Sequence, residues 1–347
     1  MRRIGFFTGS TTSFNVECTL SNIGWMLSDY FDLDLITTEP EYYKQELEEY
    51  FRFVQPEKSG TTNLTELRSY VRYFDPDALL NIIKPPNHGL TSALACVGSS
   101  TRYVYRYSGD RFKDYQVVNG WRKPAYYCLN NLVGRVPIAI CDRAISLGPT
   151  GKKRLRRRGI KDSEMSVLPP PVDPKRFTDD GFNFDLPDDR SVALFVGRRT
   201  RLKGFDTLQK AIPRIIDNGD DLHFVIIGGG DQTLQIPDKY RNHVTVQGKV
   251  SPEDIPRYFN EADLLVHPSL TEGLPRVIPE ALVSDTKVVA RDVGEIDLAT
   301  KNTFTSLDQF VKMVSEYESL ELDDGEPFIR ENLKPKYLTF FKNICQD

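Results

Sequence analysis

No apolar stretch in the sequence reaches the ~20 residues that a membrane-spanning helix needs. Cysteine is scarce and unpatterned. Cys18, Cys96, Cys128, Cys141 and Cys345 are odd in number and none forms a CxxC pair, which favours free thiols in a reducing compartment over a disulfide framework. Histidine is scarcer still. His88, His223, His243 and His267 stand at no metal-ligand spacing from one another or from cysteine, which argues against a structural zinc site. Neither sign of charge dominates: 45 Lys and Arg meet 49 Asp and Glu, for a net charge of −4. Overall charge therefore does not mark the chain as a nucleic-acid binder. The opening MRRIGFFTGS sets two arginines before an apolar run that Gly9 ends. That run is too short for the core of a secretory signal and reads as a first β-strand, so the expected location is the cytoplasm.

What is present is a regular alternation of short apolar strands with helical segments, the pattern of an α/β protein with parallel sheets. In the first half, strands are expected at Ile4–Phe7, Leu33–Ile36, Ala78–Ile82, Tyr103–Tyr105, Ala139–Cys141 and Ser166–Leu168. A helix from Cys18 to Tyr30 carries Leu20, Ile23, Met26 and Leu27 on one side. The acidic and aromatic stretch 39–57 has no clear period. Pro169, Pro170 and Pro171 then impose a stiff extended segment, and the domain boundary is placed there. The second half repeats the alternation more cleanly. Strands are expected at Val192–Val196, Leu222–Ile227, Val244–Val246, Leu264–Val266 and Lys287–Ala290. Helices are expected at Phe205–Ile216, Pro252–Glu261 with Ser251 as N-cap, and Pro275–Val283. A last helical segment runs from Pro327 to Ile344.

Two motifs in this half carry chemistry. In VGRRTRLKG (196–204), a strand ends at Val196 and a glycine turn presents Arg198 and Lys203. Cations at the carboxyl end of a parallel strand face the ligand crevice of such folds and suit a diphosphate; alone, the loop reads equally well as a solvated basic turn. In TEGLPRVIPEAL (271–282), Pro275 fits the first position of a helix. The amides of Gly273 and Leu274 would lie at its positive end and suit a phosphate. Glu272 precedes that helix and Glu280 lies one to two turns inside it. Such spacing is too wide for a proton-sharing dyad but suits a grip on two parts of one extended ligand. A carboxylate next to a diphosphate must accept hydrogen bonds from hydroxyls, and sugar hydroxyls are the obvious donors. The bland alternative for Glu280 is a solvated helix glutamate.

Together these segments resemble glycosyltransferase family 4, of the GT-B fold. The resemblance runs from about Leu168 to Gly294 and includes VGRRTRLKG, IIGGGD, VTVQGKVSPEDIPRYFNEADLLVHPS, EGLPRVIPE and VVARDVGEI. LPPPVDPKRF is similar to the family's interdomain segment, with Pro170-Pro171 where Asn-Gly is usual. The resemblance implies two doubly wound, Rossmann-like α/β domains facing across a cleft. They would be an N-terminal acceptor domain (1–170), a C-terminal nucleotide-sugar domain (171–326) and a final helix (327–347) packing back on the first. It implies that Arg198 and Lys203 bind the donor diphosphate, Glu272 the donor sugar and Glu280 the ribose. Gly273, Leu274 and Pro275 would surround the phosphates and the backbone near Val250 would meet the base. Transfer would proceed with retention of anomeric configuration, from a UDP- or GDP-sugar, with no divalent metal and no other cofactor.

The first domain departs from the family pattern. Its first loop reads TGSTTSFN, where Gly9 would allow close approach of phosphates, and RYSGDRF (106–112) lacks the family's histidine. Asp110 is the polar candidate at that strand end, with a turn aspartate as the alternative. Asp173 reads as a turn cap. A basic run, TGKKRLRRRGIK, carries Lys152, Lys153, Arg156 and Arg157, and GWRKPAYYCLNNLVG mixes Trp121, Tyr126 and Tyr127 with Arg122 and Lys123. Cations beside aromatics suit an anionic membrane surface and a polyprenyl-linked acceptor; the alternative is ordinary packing with a solvated basic helix. The expected activity is sugar transfer to an acceptor hydroxyl in glycan biosynthesis, peripheral to the cytoplasmic face of a membrane. The rival readings are an inactive nucleotide-sugar-binding partner subunit, and an epimerase or phosphorylase on the same fold.

Overall fold

A computed structural model describes residues 1–55, 63–83, 86–109, 120–178, 190–219 and 221–346. The chain divides into two compact units, one of Met1–Pro171 with Arg330–Asp347 and one of Val172–Ile329. The passage between them falls at the last of the three prolines. Leu168 N–H still donates to Ser146 in the first unit, whereas Val172 N–H donates to Phe328 in the second.

The first unit is built from β1 (Arg2–Gly9), α1 (Phe14–Leu27), β2 (Phe31–Thr37), α2 (Pro40–Leu47), β3 (Arg52–Val54), α3 (Asn63–Phe74) and β4 (Ala78–Asn81). The chain continues through α4 (Asn87–Cys96), β5 (Arg102–Tyr107), α5 (Arg122–Asn131), α6 (Val136–Ala139), β6 (Arg143–Ser146), α7 (Pro149–Arg156) and β7 (Met165–Val167). Its strands form a parallel sheet in the order β3-β2-β1-β4-β5-β6-β7. The apolar stripe expected on α1 is buried, with Leu20, Ile23, Met26 and Leu27 at most 2% exposed. It shares a core with Ile4 and Phe6 of β1 and Leu333, Phe340 and Phe341 of the final helix. The opposite sheet face packs Phe7, Leu79, Tyr103 and Tyr105 against α3 and α4. Alternate residues of β1 thus feed different cores, the period-two consequence of a sheet covered on both faces.

The second unit comprises β8 (Ser191–Val196), α8 (Phe205–Asp217), β9 (Leu222–Ile227), β10 (Val244–Gly248), α9 (Ile255–Asn260) and β11 (Leu264–His267). Then come α10 (Val277–Val283), β12 (Lys287–Arg291), β13 (Thr303–Phe304) and α11 (Leu307–Ser315). The sheet is parallel in the order β10-β9-β8-β11-β12-β13. The apolar faces of α8 and α11 share a core with Phe195, Phe224, Ile226 and Val266 of the strands. Helix α12 (Arg330–Gln346) belongs to the first unit, where Tyr337 Oη donates to Pro169 O at 2.9 Å.

Several expected boundaries move, each for a local reason. The strand expected at Ala139–Cys141 is instead the end of α6 and the turn after it; β6 begins at Arg143. Pro137, in the first turn of α6, and Ile138 are buried while Ile140 is 41% exposed, so the apolar run packs two consecutive residues rather than alternating. The helix expected from Pro252 starts at Ile255, and Ser251 caps nothing with its side chain; its carbonyl accepts the Asp254 amide in a turn. A start at 252 would have put Pro256 in the helix interior, whereas the later start puts it in the first turn, where a missing N–H costs nothing. The same logic moves α10 from Pro275 to Val277. Pro279 becomes its third residue, still among the amides that have no intrahelical partner. The stretch 39–57 resolves, over its described part, into α2 and the edge strand β3. Asp173 caps a turn as expected, accepting the Lys175 amide at 3.1 Å.

Candidate functional site

The strand order of the second unit reverses between β8 and β11, because β8 is followed outward by β9 and β11 by β12 on the other side. At such a switch point the two connections diverge, and the carboxyl ends of the strands leave a crevice that binds ligands. Both motifs singled out in the sequence emerge here, VGRRTRLKG from β8 and TEGLPRVIPEAL after β11.

Glycines hold the loops at this edge in backbone contact. Gly204 has φ +71°, and a Cβ there would lie 1.9 Å from Pro268 O. Gly294, after β12, has φ +69° and would put a Cβ 2.3 Å from Gly273 O. Gly228, after β9, would clash with Gly197 O at 2.1 Å. The amide of Leu270 donates to Leu202 O at 2.9 Å, and that of Glu295 to Gly273 O at 2.8 Å. Loops from four neighbouring strands are thereby locked into one edge.

That locking brings Lys203 onto Glu272. The ammonium lies 2.5 Å from Oε1, with both side chains largely buried. The imidazole of His267, the last residue of β11, is 3% exposed and places Nε2 3.4 Å from the same oxygen. Burial alone would raise the Glu272 pKa. The neighbouring imidazole and ammonium outweigh it and hold the carboxyl down at about 2. Near neutral pH Glu272 is therefore an anion that accepts hydrogen bonds and cannot act as an acid. Sequence reasoning assigns Lys203 and Glu272 to different parts of a ligand; the structure pairs them directly.

Glu280 lies in the first turn of α10 rather than deeper in the helix, and it is buried, not a solvated surface glutamate. Arg276, at the N-cap, donates to its Oε1 from Nε at 3.2 Å and from Nη2 at 3.0 Å. Arg198 is exposed at the mouth of the β8 loop. Gly273 and Leu274 precede α10 by several residues, so their amides belong to the turn before it rather than to its first turn. No acceptor meets them among the described residues. Pro275 O accepts the Ile278 amide at 3.2 Å. Val250 is half-buried just beyond β10. His267, Arg276 and Gly294 were not singled out as site residues from sequence. Gly294 was detectable as a glycine following a strand; the other two are identified only by what they touch.

The remaining candidates lie in the first unit. Gly9 has φ +57° at the end of β1, where a Cβ would lie 3.2 Å from the His88 ring. Asp110 falls outside the described residues. Trp121 is 82% exposed at the start of α5, with the Arg122 guanidinium 5.5 Å from its ring centre. Lys153, Arg156 and Arg157 are exposed on and just after α7, and Lys152 is half-buried. Arg156 is bound by Asp162. Among the described residues no helix is long and apolar enough to cross a membrane, and no group of three or more His, Cys, Asp and Glu could hold a metal ion.

The model of the family described as glycosyl transferases group 1 matches residues 190–310. That segment belongs to the glycosyl transferases group 1. Both motif loops, α10 and Gly294 fall within this group 1 domain. A human phosphatidylinositol N-acetylglucosaminyltransferase component is 28% identical over 223 residues, which cover 60% of this chain and 46% of the human protein. The putative teichuronic acid biosynthesis glycosyltransferase TuaC of Bacillus subtilis is 27% identical over 228 residues, 64% of this chain and 54% of TuaC. The chain thus spans about half the length of these curated relatives. The solved structure of Anabaena HepE in complex with UDP-glucose superposes with a TM-score of 0.65 at 15% identity, covering 100% of this chain and 99% of HepE. At that identity the likeness is one of fold: the group 1 domain and the unit that accompanies it have the GT-B fold.

Proposed function

We propose that the protein is a glycosyltransferase that moves a sugar from a nucleotide-diphosphate donor to an acceptor hydroxyl. The observation that carries this reading is the Lys203–Glu272 pair at the switch point of the group 1 domain, with Arg198 exposed in the same loop as Lys203. Cations at that edge neutralise a diphosphate as it departs, and a permanently ionised carboxylate accepts sugar hydroxyls. Glu272 takes the sugar. Glu280, its second oxygen left over from Arg276, takes the ribose. The turn amides of Gly273 and Leu274 take phosphate oxygens next to Pro275, and the backbone near Val250 meets the base. In this scheme Arg198, Lys203 and the turn amides carry the leaving-group charge, so no metal is required. Glu272 sits against an ammonium rather than as a free nucleophile, and the acceptor attacks from the side that the diphosphate leaves, with retention. The human relative is named for N-acetylglucosamine transfer and HepE was solved with UDP-glucose, which supports a UDP-sugar as donor.

The acceptor is proposed to be a lipid-linked saccharide at a cytoplasmic membrane face. The exposed Trp121 beside Arg122, with the α7 cations, supports docking on anionic lipid. Gly9 and Asp110 are the first-unit residues proposed to line the reaction.

A thermal-shift panel of UDP- and GDP-sugars tests the donor. A ligand at a hundred times its dissociation constant raises stability by about 2.7 kcal/mol. Turnover with a polyprenyl-phosphate-linked saccharide, abolished in Glu272→Ala, would complete the case. Donor binding without turnover on any acceptor would favour a partner protein that only binds nucleotide sugar. Full activity in Glu272→Ala would refute the role assigned to it.

A further inference from the structure

Building on the proposed function, we propose that His267 is a positioning residue for Glu272, and that it takes up a proton when the donor binds. The second unit contains three histidines, and they differ in one respect. His223 Nε2 lies 2.8 Å from Thr245 Oγ1, and His243 Nδ1 lies 3.1 Å from Leu222 O. His267, as buried as either, has no well-formed hydrogen bond at Nδ1 or Nε2 among the described residues. A buried imidazole left in that state is uncommon and costly. Its Nε2 faces one charged atom, Glu272 Oε1 at 3.4 Å. That oxygen is already taken at 2.5 Å by Lys203. Two bases therefore flank one carboxylate oxygen, the ammonium at 2.5 Å and the imidazole at the longer 3.4 Å.

A bound diphosphate changes this balance. It adds negative charge next to Lys203 and competes with Oε1 for the ammonium's donors. Loss of that donor would leave a buried carboxylate without its counter-ion, which is the expensive outcome. Imidazole is the side chain whose ordinary titration range lies close enough to neutral pH to respond. The added anion and the freed carboxylate both raise its affinity for a proton. Protonated His267 then donates to Oε1 and keeps the carboxylate fixed for the sugar hydroxyls while Lys203 turns to the phosphates.

The other charged groups around this edge are engaged or face outward, apart from half-buried Arg199 in the β8 loop, whose buried Nε has no partner among the described residues. Arg291, at the end of β12, donates to Pro268 O, Thr305 O and Thr207 Oγ1. Arg276 and Glu280 hold each other on α10. Glu295 is buried in the loop after β12, and Arg198 is exposed.

The test is calorimetric titration of the full chain with UDP-glucose, UDP-N-acetylglucosamine and GDP-mannose, each in PIPES, HEPES and Tris. A nucleotide sugar is a diphosphate diester with no phosphate proton titrating near neutral pH, so buffer-dependent heat reports the protein. The expected result is uptake of a fraction of a proton, up to about one, per donor bound. Because uptake means the complex holds more protons than the free protein, affinity must rise as pH falls. The limit is about tenfold per pH unit. His267→Gln should bind donor with no uptake and a flat profile between pH 6.5 and about 8. Glu272→Gln, which removes the carboxylate, should also lower the uptake, and it decides the matter if His267→Gln does not fold. Donor binding without uptake in the unaltered protein overturns this inference and leaves the proposed function standing. Uptake that persists in His267→Gln overturns the assignment to His267. Failure of all three donors to bind overturns the proposed function and this inference with it.

Discussion

Replacing Gly204 with alanine should cost far more than its backbone conformation alone explains. Gly204 has φ +71°, and an L-residue in this left-handed region loses about 1–2 kcal/mol. The added methyl would also sit 1.9 Å from Pro268 O and 2.4 Å from Pro268 C. Both are backbone atoms, so no side chain can swing aside, and the loops after β8 and β11 must separate. Overpacking of this kind costs about 1–3 kcal/mol more. Gly248 is an internal control: it has φ +74° in the same unit, but a Cβ there meets nothing within 4 Å. Gly248→Ala should therefore cost about 1–2 kcal/mol and Gly204→Ala about 2–5 kcal/mol. At about 2–4 °C per kcal/mol for a unit of this size, the melting midpoints should separate by several degrees. Thermal melts followed by circular dichroism would read the difference. The same loops carry Lys203 and Glu272, so Gly204→Ala should also lose the stabilisation that a nucleotide sugar confers, and Gly248→Ala should keep it. Equal midpoints and equal ligand responses in the two variants would refute the argument that backbone contact at Gly204 builds the site.

Three further outcomes are expected. Glu272 has its folded pKa depressed from 4.5 to about 2, so its contribution is present above the unfolded value and is lost as pH falls toward the folded one. The stability advantage over Glu272→Gln should shrink by about 2 kcal/mol between pH 5.5 and pH 3 in urea titrations; a constant advantage would contradict the ion pairing. Lys203→Met should weaken nucleotide-sugar binding at least tenfold in calorimetry, more than the exposed Arg198→Ala does, because the partly buried ammonium is less screened by solvent; the reverse order would argue against Lys203 as a phosphate ligand. Vesicles containing anionic lipid should retain the protein in a salt-sensitive manner, and Trp121→Ala combined with neutralised Lys152, Lys153, Arg156 and Arg157 should abolish retention in sedimentation assays; unchanged retention would remove the basis for membrane docking.

The element types were legible wherever period and punctuation agreed. Leu222–Ile227 emerges with the bounds expected, because five apolar residues broken only by His223 and closed by glycines admit few other readings. Pro275 and Pro252 were misjudged as helix starts, in place of Val277 and Ile255, because the deciding residues, Pro279 and Pro256, lie downstream of the apparent caps. Ala139–Cys141 was misjudged because three apolar residues are too few to show a period. In the site, the motif loops were correctly placed at strand ends, but Glu280 was expected deeper in its helix than it lies.

By itself the sequence determined the alternation of strands and helices, the proline break between two units, and the presence of cations and carboxylates in two loops of the second. Those are local properties, set by period, by proline's fixed φ and by residue chemistry. Only the tertiary structure decided which of these groups meet. The strand order puts β8 beside β11 although a whole βα unit and β10 separate them along the chain, and Gly204, Gly228 and Gly294 let the loops touch. Lys203 and Glu272, 69 positions apart, become an ion pair with His267 against it. No pattern along the chain encodes that contact, because it depends on the order in which strands are laid beside one another.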